Sequence, residues 1–247
     1  MFEEFLVMNT SSKKILAIVP AYNECGNIGR TVEEIRKIAT GVDVLVIDDG
    51  SLDATAQEAS LAGGMVVSLP FNLGIGAAVQ TGFQYAQRYQ YEIALQIDGD
   101  GQHDAAFIEK ILEPLYRQEA DMVVGSRFLE KTGGFKSSFS RRVGINFFVH
   151  LINVLTGVKI SDPTSGFRAY NKKMIALFSE YYPQDFPEPE AIVVAQQAGG
   201  RIIEVPVVMR KREAGSSSIR YFKTLYYMVK VTLAIVLHMI RHKENKA

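Results

Sequence analysis

The sequence predicts an α/β fold in which a mostly parallel, Rossmann-like sheet is flanked by helices. Short apolar runs typical of buried strands alternate with longer segments of helical periodicity, and the alternation repeats along the first half of the chain. The 247 residues, of which 47% are hydrophobic, suffice to bury the core of one large domain. We therefore expect one domain over residues 1–218, followed by a chemically different segment over residues 219–247.

The predicted elements follow one another in strand–helix pairs. Strands are expected at residues 15–19, 42–47, 65–69, 93–97, 122–125, 166–170 and 202–208. Helices are expected at residues 28–38, 54–61, 76–89, 105–117, 143–155 and 190–198. Pro20 is expected to end the first strand. The Gly-, Ser- and Lys-rich stretch at 129–140 predicts a loop near the site rather than a domain linker.

The carboxy-terminal segment differs in composition from the rest of the chain. Residues 221–240 are mainly apolar and approach the ~20 residues that span a bilayer, but Lys230 falls near their middle, where a charge is costly. The basic tail Arg241-His242-Lys243 follows. We therefore favour an amphipathic, membrane-associated helix lying in the interface. A helix packed on the domain or in a homo-oligomer contact is the alternative.

Charge and cysteine content narrow the function classes. Lysine plus arginine equals aspartate plus glutamate, 27 each, so no bulk basicity points to a nucleic-acid partner. Cys25 is the single cysteine, which excludes an internal disulfide and indicates a reducing compartment. Glu3 and Glu4 stand where a signal peptide would carry basic residues. We therefore expect the amino-terminal part to be cytoplasmic.

The most informative motif is Asp98-Gly99-Asp100-Gly101-Gln102-His103, at the end of the fourth predicted strand. Side chains two apart on an extended backbone point to the same side, so Asp98 and Asp100 would present two carboxylates to one divalent cation. Open α/β sheets bind ligands at the carboxyl ends of such strands. Asp and Gly are also common turn residues, which is the alternative interpretation. Asp104 fits the N-cap of the next helix, which leaves the two aspartates for a metal that carries a diphosphate.

The loops after the first two strands carry groups that suit a nucleotide. Tyr22 could stack on a base, and Glu24 could accept hydrogen bonds from the base or ribose, although the loop could equally be an ordinary connection. Asp49 is free to meet a nucleoside, whereas Asp53 is a good N-cap. One of these aspartates is therefore interpreted as functional and the other as structural.

Two further strand ends bear on phosphate binding. Asn72-Leu73-Gly74-Ile75-Gly76 enters a helix, where free amide groups favour anions, but its glycine spacing favours a tight turn and close helix packing. Arg127 follows the fifth strand and suits bidentate phosphate recognition, with a salt bridge at the rim of the site as the alternative.

These motifs together, and in this order, resemble those of family 2 glycosyltransferases with the GT-A fold. The resemblance is closer to the branch like dolichol-phosphate mannose synthase, which loads a sugar onto a polyprenyl phosphate, and it covers residues 15–218. It rests on seven segments, namely residues 20–24, 48–51, 72–76, 98–103, 125–128 and 162–168 and the basic loop that begins at Arg210 and ends in serines.

The resemblance implies a role for each motif. The implied nucleotide-sugar ligands are Pro20, Tyr22, Glu24, Asp49, Gly74, Asp98, Arg210 and Arg212. The implied ligands of Mg²⁺ or Mn²⁺ are Asp98, Asp100 and Gln102. Arg127 and Arg141 would grip the acceptor phosphate. The implied catalytic residues are Asp100, Arg127 and, as the candidate base, Glu190.

The implied reaction is one in-line displacement with inversion at the anomeric carbon. A phosphate monoester oxygen is already anionic near neutral pH, so positioning matters more than deprotonation. We expect transfer from a nucleotide-diphosphate sugar, with UDP-glucose or UDP-N-acetylglucosamine favoured, to a polyprenyl phosphate such as undecaprenyl phosphate during synthesis of the cell envelope. The enzyme would work at the cytoplasmic face of the membrane, with a small membrane-protein partner as a further option.

Several alternatives stay open at this point. A GDP-mannose donor, or a glycan acceptor that requires a base near Glu188 or Glu190, would use the same fold. A sugar-phosphate nucleotidyltransferase would want a glycine-rich basic loop after the first strand, where residues 20–24 have none. A binding module without activity would keep Tyr22 and Asp49 but would not need Asp98 and Asp100 together.

Overall fold

The computed structural model describes residues 13–129, 139–185, 187–210, 229–233 and 235, and a sheet of seven strands forms its centre. The strands are β1 Ile15–Ala21, β2 Val42–Asp48, β3 Met65–Ser68, β4 Ile93–Gln96, β5 Met122–Ser126, β6 Arg168–Asn171 and β7 Ile202–Pro206. The helices are α1 Ile28–Ile38, α2 Thr55–Leu61, α3 Ile75–Arg88, α4 Ile108–Tyr116, α5 Phe139–Thr156, α6 Lys172–Glu180 and α7 Pro187–Gln197.

The order of the strands across the sheet is β3-β2-β1-β4-β6-β5-β7. All neighbouring pairs are parallel except those of β6, which runs antiparallel to β4 and to β5. The predicted mostly parallel α/β sheet is therefore confirmed. From β1 the chain builds outward through β2 and β3, then returns to add β4 on the other side. This reversal opens a crevice between the carboxyl ends of β1 and β4, where sheets of this kind bind ligands.

Helices cover both faces of the sheet. The strands carry apolar side chains on both faces, and these must be shielded from water. Alternate residues of β1 enter different cores: Leu16 and Ile18 contact one cluster, and Ala17 and Val19 contact the other. The first cluster includes buried residues of α3, α5, α6 and α7, and the second includes those of α1, α2 and α4. Packing into the two cores holds in place the strands whose carboxyl ends carry the candidate site.

Pro20 does not end β1, contrary to the prediction. It pairs with Ile47 of β2, and the strand continues to Ala21. The carbonyl of Ala21 accepts from the Asp49 N–H, so Ala21 faces β2 and Pro20 faces β4. Pairing of β1 with β4 already ends at Ile18, so the N–H that proline lacks has no ladder partner to lose.

Helix α6 has no counterpart among the predicted elements. The Asn171 side chain accepts from the Met174 N–H and caps the helix at the residue where β6 ends. Met174, Ile175 and Phe178 are its buried residues. The strand and the helix share one junction without a loop, so the sequence offers no turn signal between them.

A short part of the carboxy-terminal segment is described, and it is helical. Val231 and Ile235 are buried in the core cluster that includes α5, whereas Val229 and Leu233 are exposed. Lys230 forms an ion pair with Asp185 at 2.7 Å. This turn therefore packs on the domain along one face and leaves apolar side chains on the other. Within the described ranges, no helix is both long enough and apolar enough to cross a membrane.

Gly76 provides a test of the packing between α3 and the loop before α7. An added Cβ would lie 2.3 Å from backbone atoms of Pro183 and Gln184, and backbone cannot move aside as a side chain can. We expect Gly76→Ala to destabilise the fold by about 1 to 3 kcal/mol, measured by thermal or urea unfolding. Gly29→Ala is the control, since its Cβ would meet no atom closer than 3.8 Å. Equal stability of the two variants would contradict this packing.

Candidate active site

Asp98 and Asp100 follow the carboxyl end of β4, at the crevice between β1 and β4, but they do not lie on an extended backbone as the sequence predicted. Strand β4 ends at Gln96, and the chain turns through residues 99–101, with Gly101 at a φ of 74°. The argument from alternating side chains is therefore wrong in its geometry. The two carboxylates are nevertheless near enough for the charge of Asp100 to raise the pKa of Asp98.

The surroundings of Asp98 disfavour its charged form. Burial, and secondly the charge of Asp100, raise the pKa of Asp98 from 3.8 to about 7, although Arg127 and Arg168 act in the opposite direction. Its side chain stays 37% exposed, so a ligand can reach the carboxylate. A divalent cation would relieve the repulsion between the two aspartates.

The two aspartates have the chemistry that Mg²⁺ or Mn²⁺ requires. Within the described part of the chain, no group of three or more His, Cys, Asp or Glu side chains could hold a metal ion. Mg²⁺ is commonly bound by one or two carboxylates, with substrate phosphates and water completing its shell. Asp98 and Asp100 fit that arrangement. Gln102 lies next to them, and its backbone N–H donates to Oδ1 of Asp100 at 3.0 Å.

Gly166 lies against the Asp98 carboxylate. A Cβ added at Gly166 would lie 2.8 Å from Oδ1 and 3.0 Å from Oδ2 of Asp98. The carboxylate therefore occupies the space that a side chain at position 166 would take. Sequence reasoning gave Gly166 no role of its own, because the contact joins two segments 68 residues apart.

Arg127 does not present its guanidinium to the site surface. Its Nε and Nη2 each donate to Asp162 at 2.6 Å, and Nη2 also donates to Thr164 at 2.9 Å. Both members of the ion pair are buried. The bidentate geometry of Arg127 is used by a carboxylate within the protein, which agrees with the salt-bridge alternative, and its role as a phosphate ligand stays a prediction.

The loop of residues 162–166 is held from three strands. Glu204 of β7 accepts from the backbone N–H groups of Ser161 and Asp162, and Arg127 extends from β5 to Asp162. Arg168 of β6, which is fully buried, donates to the carbonyls of Pro163, Ser165 and Glu188. This bracing fixes the loop that faces Asp98.

The loops after β1 and β2 are joined by hydrogen bonds. The Asn23 side chain accepts from the Leu52 N–H at 2.9 Å, and the Glu24 N–H donates to Thr55 at 2.9 Å. Tyr22 is 44% exposed above them, in keeping with a ring available for stacking. Glu24 accepts from the Asn27 side chain. The predicted nucleotide ligands of these loops are thus brought together at one edge of the sheet.

Asp49 is not free, contrary to the sequence interpretation. It is buried, and its two oxygens accept from the backbone N–H groups of Leu73 and Gly74 at 2.8 and 2.9 Å. Gly74 has a φ of 95° and precedes α3. The aspartate therefore holds the glycine turn against the end of β2, and the predicted turn role of residues 72–76 accords with this contact.

Arg210 lies at the mouth of a cavity of about 150 Å³ that includes Asp100 and residues of α1. Its guanidinium donates to Glu34 and Asp104, and its backbone N–H donates to the carbonyl of Gln102. In this arrangement the carboxylates of Glu34 and Asp104 neutralise its charge. Arg212 and the side chain of Arg141 lie outside the described residues.

Of the two candidate bases, Glu188 lies in the electrostatic environment of Asp98. Burial raises the pKa of Glu188. The positive charge of Arg168 acts to lower it, the negative charge of Asp98 to raise it, and the positive charge of Arg127 to lower it. Burial also raises the pKa of Glu190, whose carboxylate accepts from the Tyr181 hydroxyl at 3.1 Å. Glu190 thus faces the loop before α7, and its assignment as a base has no support from its contacts.

Comparison with known proteins gives one family and several relatives. The model of the family described as "Glycosyl transferase family 2" matches residues 16–178. A polyprenol monophosphomannose synthase of Mycolicibacterium smegmatis is 30% identical over 220 residues, covering 83% of this chain and 81% of the relative. A UDP-N-acetylglucosamine–dolichyl-phosphate N-acetylglucosaminyltransferase of Methanococcus voltae is 27% identical, covering 92% of this chain and 99% of the relative.

A solved structure supports the fold. Glucosyl-3-phosphoglycerate synthase from Mycobacterium tuberculosis, crystallised with Mn²⁺, UDP and phosphoglyceric acid, superposes with a TM-score of 0.71 at 20% identity. The superposition covers 93% of this chain and 79% of that chain. The predicted GT-A architecture is confirmed by this likeness.

Proposed function

Because the chain belongs to glycosyl transferase family 2, and is thus a glycosyltransferase, we propose that it moves a sugar from a nucleotide diphosphate to a polyprenyl phosphate. The observation that carries the acceptor class is that the two named relatives differ in sugar but share a polyprenyl or dolichyl phosphate. Each is covered over more than four fifths of its length by this chain. The acceptor is therefore the better supported half of the reaction.

The proposed donor is UDP-glucose or UDP-N-acetylglucosamine. The relative that uses UDP-N-acetylglucosamine aligns with nearly the whole of this chain, which supports the second of these sugars. The mannose synthase supports mannose as the sugar, and GDP-mannose is therefore the alternative donor. The nucleotide would lie over the joined loops after β1 and β2, with Tyr22 and Glu24 as its contacts and the buried Asp49 shaping the turn beside it.

The proposed cofactor is Mg²⁺ or Mn²⁺ bound by Asp98 and Asp100, with Gln102 beside them. A bound dication would supply charge stabilisation to the departing nucleoside diphosphate. Asp98 and Asp100 would hold the ion, and Gly166 of the braced loop of residues 162–166 lies against the Asp98 carboxylate. Positioning of this kind is where such a site gains rate, because the acceptor phosphate needs no deprotonation.

An acceptor that is already anionic also accounts for the position of Glu190. A glycan hydroxyl would require a base directed at the sugar, whereas Glu190 is bonded to Tyr181. Glu188 is nearer in its electrostatics to Asp98 and is the residue to test if a hydroxyl acceptor is found. The contacts of Glu190 thus favour the polyprenyl phosphate over the glycan acceptor.

We further propose that the enzyme binds the cytoplasmic surface of the membrane without crossing it. Val143, Phe147 and Val154 of α5 are exposed apolar residues, as are Val229 and Leu233 of the last described turn. The buried faces of both helices belong to the same core cluster. Their exposed apolar residues could therefore contact one membrane surface. A membrane partner or a second copy of the chain stays a prediction.

Phe147→Glu tests this surface. Phe147 is 40% exposed, and a charge there would oppose insertion of α5 into the lipid interface. We expect vesicle binding at least about fivefold weaker, measured by co-sedimentation with liposomes that contain undecaprenyl phosphate. Leu61→Glu is the matched control, since Leu61 is 80% exposed on α2, which packs on the other face of the sheet. Equal loss in both variants, or in neither, would reject α5 as the membrane face.

The decisive experiment is an incubation with radiolabelled nucleotide sugars, undecaprenyl phosphate and Mg²⁺ or Mn²⁺, followed by organic extraction. The expected result is one labelled lipid that forms only with metal and is destroyed by mild acid. UDP-N-acetylglucosamine, UDP-glucose and GDP-mannose are compared in parallel. Label that stays in the aqueous phase with every donor, while a glycan acceptor becomes labelled, would overturn the proposed acceptor.

A further inference from the structure

His103 contacts Asp98 through both of its ring nitrogens. The Asp98 backbone N–H donates to Nδ1 at 3.0 Å, and Nε2 lies 3.6 Å from Oδ2 of the same residue. Because Nδ1 accepts a hydrogen bond, the proton of the neutral ring is on Nε2, the nitrogen that lies 3.6 Å from the carboxylate. The His103 ring is thus hydrogen-bonded to the backbone of Asp98 and lies close to its carboxylate.

The ring itself is immobilised. His103 is buried, its ring stacks on Phe167 with centroids 4.9 Å apart, and its backbone forms a bridge with Met209. Among the described residues, Nε2 of His103 is a buried polar atom without a hydrogen-bond partner. A buried N–H that has no acceptor lowers the stability of the folded protein. We therefore expect the Nε2–H of this ring to have an acceptor when the site functions.

The Asp98 carboxylate is an acceptor that lies close to Nε2, with Oδ2 at 3.6 Å. A shortening of the 3.6 Å separation by about 0.7 Å would make an ordinary hydrogen bond, and contacts of this type are often long in unliganded sites. Gly166 also lies against the carboxylate, where a Cβ would come within 2.8 Å. The Asp98 carboxylate therefore has both the His103 ring and Gly166 as neighbours.

We propose that His103 is a positioning residue that fixes the Asp98 carboxylate for metal and donor binding by donating a hydrogen bond from Nε2. This inference rests on the proposed function for the identity of the ligand, but the contact between His103 and Asp98 exists without it. A ligand held by an outer hydrogen bond loses about 10- to 100-fold in metal affinity when that bond is removed.

The two nitrogens can be separated by substitution in the full-length protein. His103→Asn keeps an acceptor near the position of Nδ1 and removes the donor, whereas His103→Gln places an amide donor near the position of Nε2. We expect Mn²⁺ binding, followed by electron paramagnetic resonance with UDP or GDP present, to weaken at least about tenfold in His103→Asn. His103→Gln should recover most of that loss. Across these variants, the Michaelis constant for the donor should rise as Mn²⁺ affinity falls, whereas kcat should change less.

A control and a measurement without metal keep this proposal separate from the proposed function. His150→Gln, at an exposed position of α5, should bind Mn²⁺ as the parent does. In metal-free protein, ¹⁵N NMR should show His103 protonated at Nε2, with a signal that shifts in Asp98→Ala. A proton on Nδ1, or equal weakening of Mn²⁺ binding in His103→Asn and His103→Gln, would overturn the proposal. Failure of the parent to bind Mn²⁺ with a correct Nε2–H signal would overturn the metal-dependent function and leave the contact itself established.

Discussion

Replacement of Asp98 by asparagine should reduce turnover at least about 100-fold while making the metal-free protein more stable at neutral and alkaline pH. The loss of activity follows because an amide carries no negative charge with which to neutralise a divalent cation. The activity is measured with saturating donor and Mn²⁺. The gain in stability follows from the raised pKa of Asp98, which shows that the folded protein resists this charge.

The direction with pH can be worked out from that shift. The pKa of Asp98 is about 7 in the folded protein against an ordinary value of 3.8, so between these values the folded chain binds a proton that the unfolded chain has released. Stability contributed by this group therefore falls as pH rises from about 4 to 7. The difference in Tm between Asp98→Asn and the parent should be small near pH 4 and largest above pH 7, in the presence of a chelator.

Glu33→Gln provides the control for Asp98→Asn. Glu33 is exposed on α1, so removal of its charge should leave both activity and the pH profile of Tm nearly unchanged. An Asp98→Asn protein that keeps metal-dependent turnover would show that Asp98 is not a metal ligand. A Tm difference that does not vary with pH would show that the pKa of Asp98 is not raised in the folded protein.

Gly166→Ala should lower kcat/KM by about 10- to 100-fold with little change in stability. The added methyl group would meet the carboxylate oxygens of Asp98 at 2.8 and 3.0 Å, and a side-chain end can move aside more cheaply than backbone. Gly166 is not in the left-handed region of φ, so alanine brings no backbone strain there. The fold should therefore survive, while Asp98 is displaced from the position at which it serves the metal.

Steady-state kinetics and thermal unfolding, compared with Gly29→Ala, check this prediction. Gly29 lies in α1 and has room for a Cβ, so alanine there should be neutral or slightly stabilising by helix propensity. Raising the Mn²⁺ concentration should restore part of the activity of Gly166→Ala. Unchanged kinetics in Gly166→Ala would mean that the position of Asp98 does not limit the reaction.

Helix and strand positions in the first half of the chain follow from apolar periodicity alone. The helix predicted at residues 28–38 is α1 with the same bounds, because its buried face repeats at helical spacing and Gly26 and Gly41 flank it. Helix α6 could not be found in this way, since its cap at Asn171 is also the last residue of β6. The sheet order, with β6 antiparallel, likewise depends on contacts between distant segments.

The residue types of the site were predictable, but their partners were not. The sequence by itself determined the family, the α/β class and the strand end that carries Asp98 and Asp100, because local motifs and periodicity encode these. Only the tertiary structure decided that Arg127 is paired with Asp162, that Asp49 holds a glycine turn, and that Asp98 has His103 and Gly166 as neighbours. The physical reason is that burial and charge pairing depend on neighbours far away in the chain, which spacing along one segment does not specify.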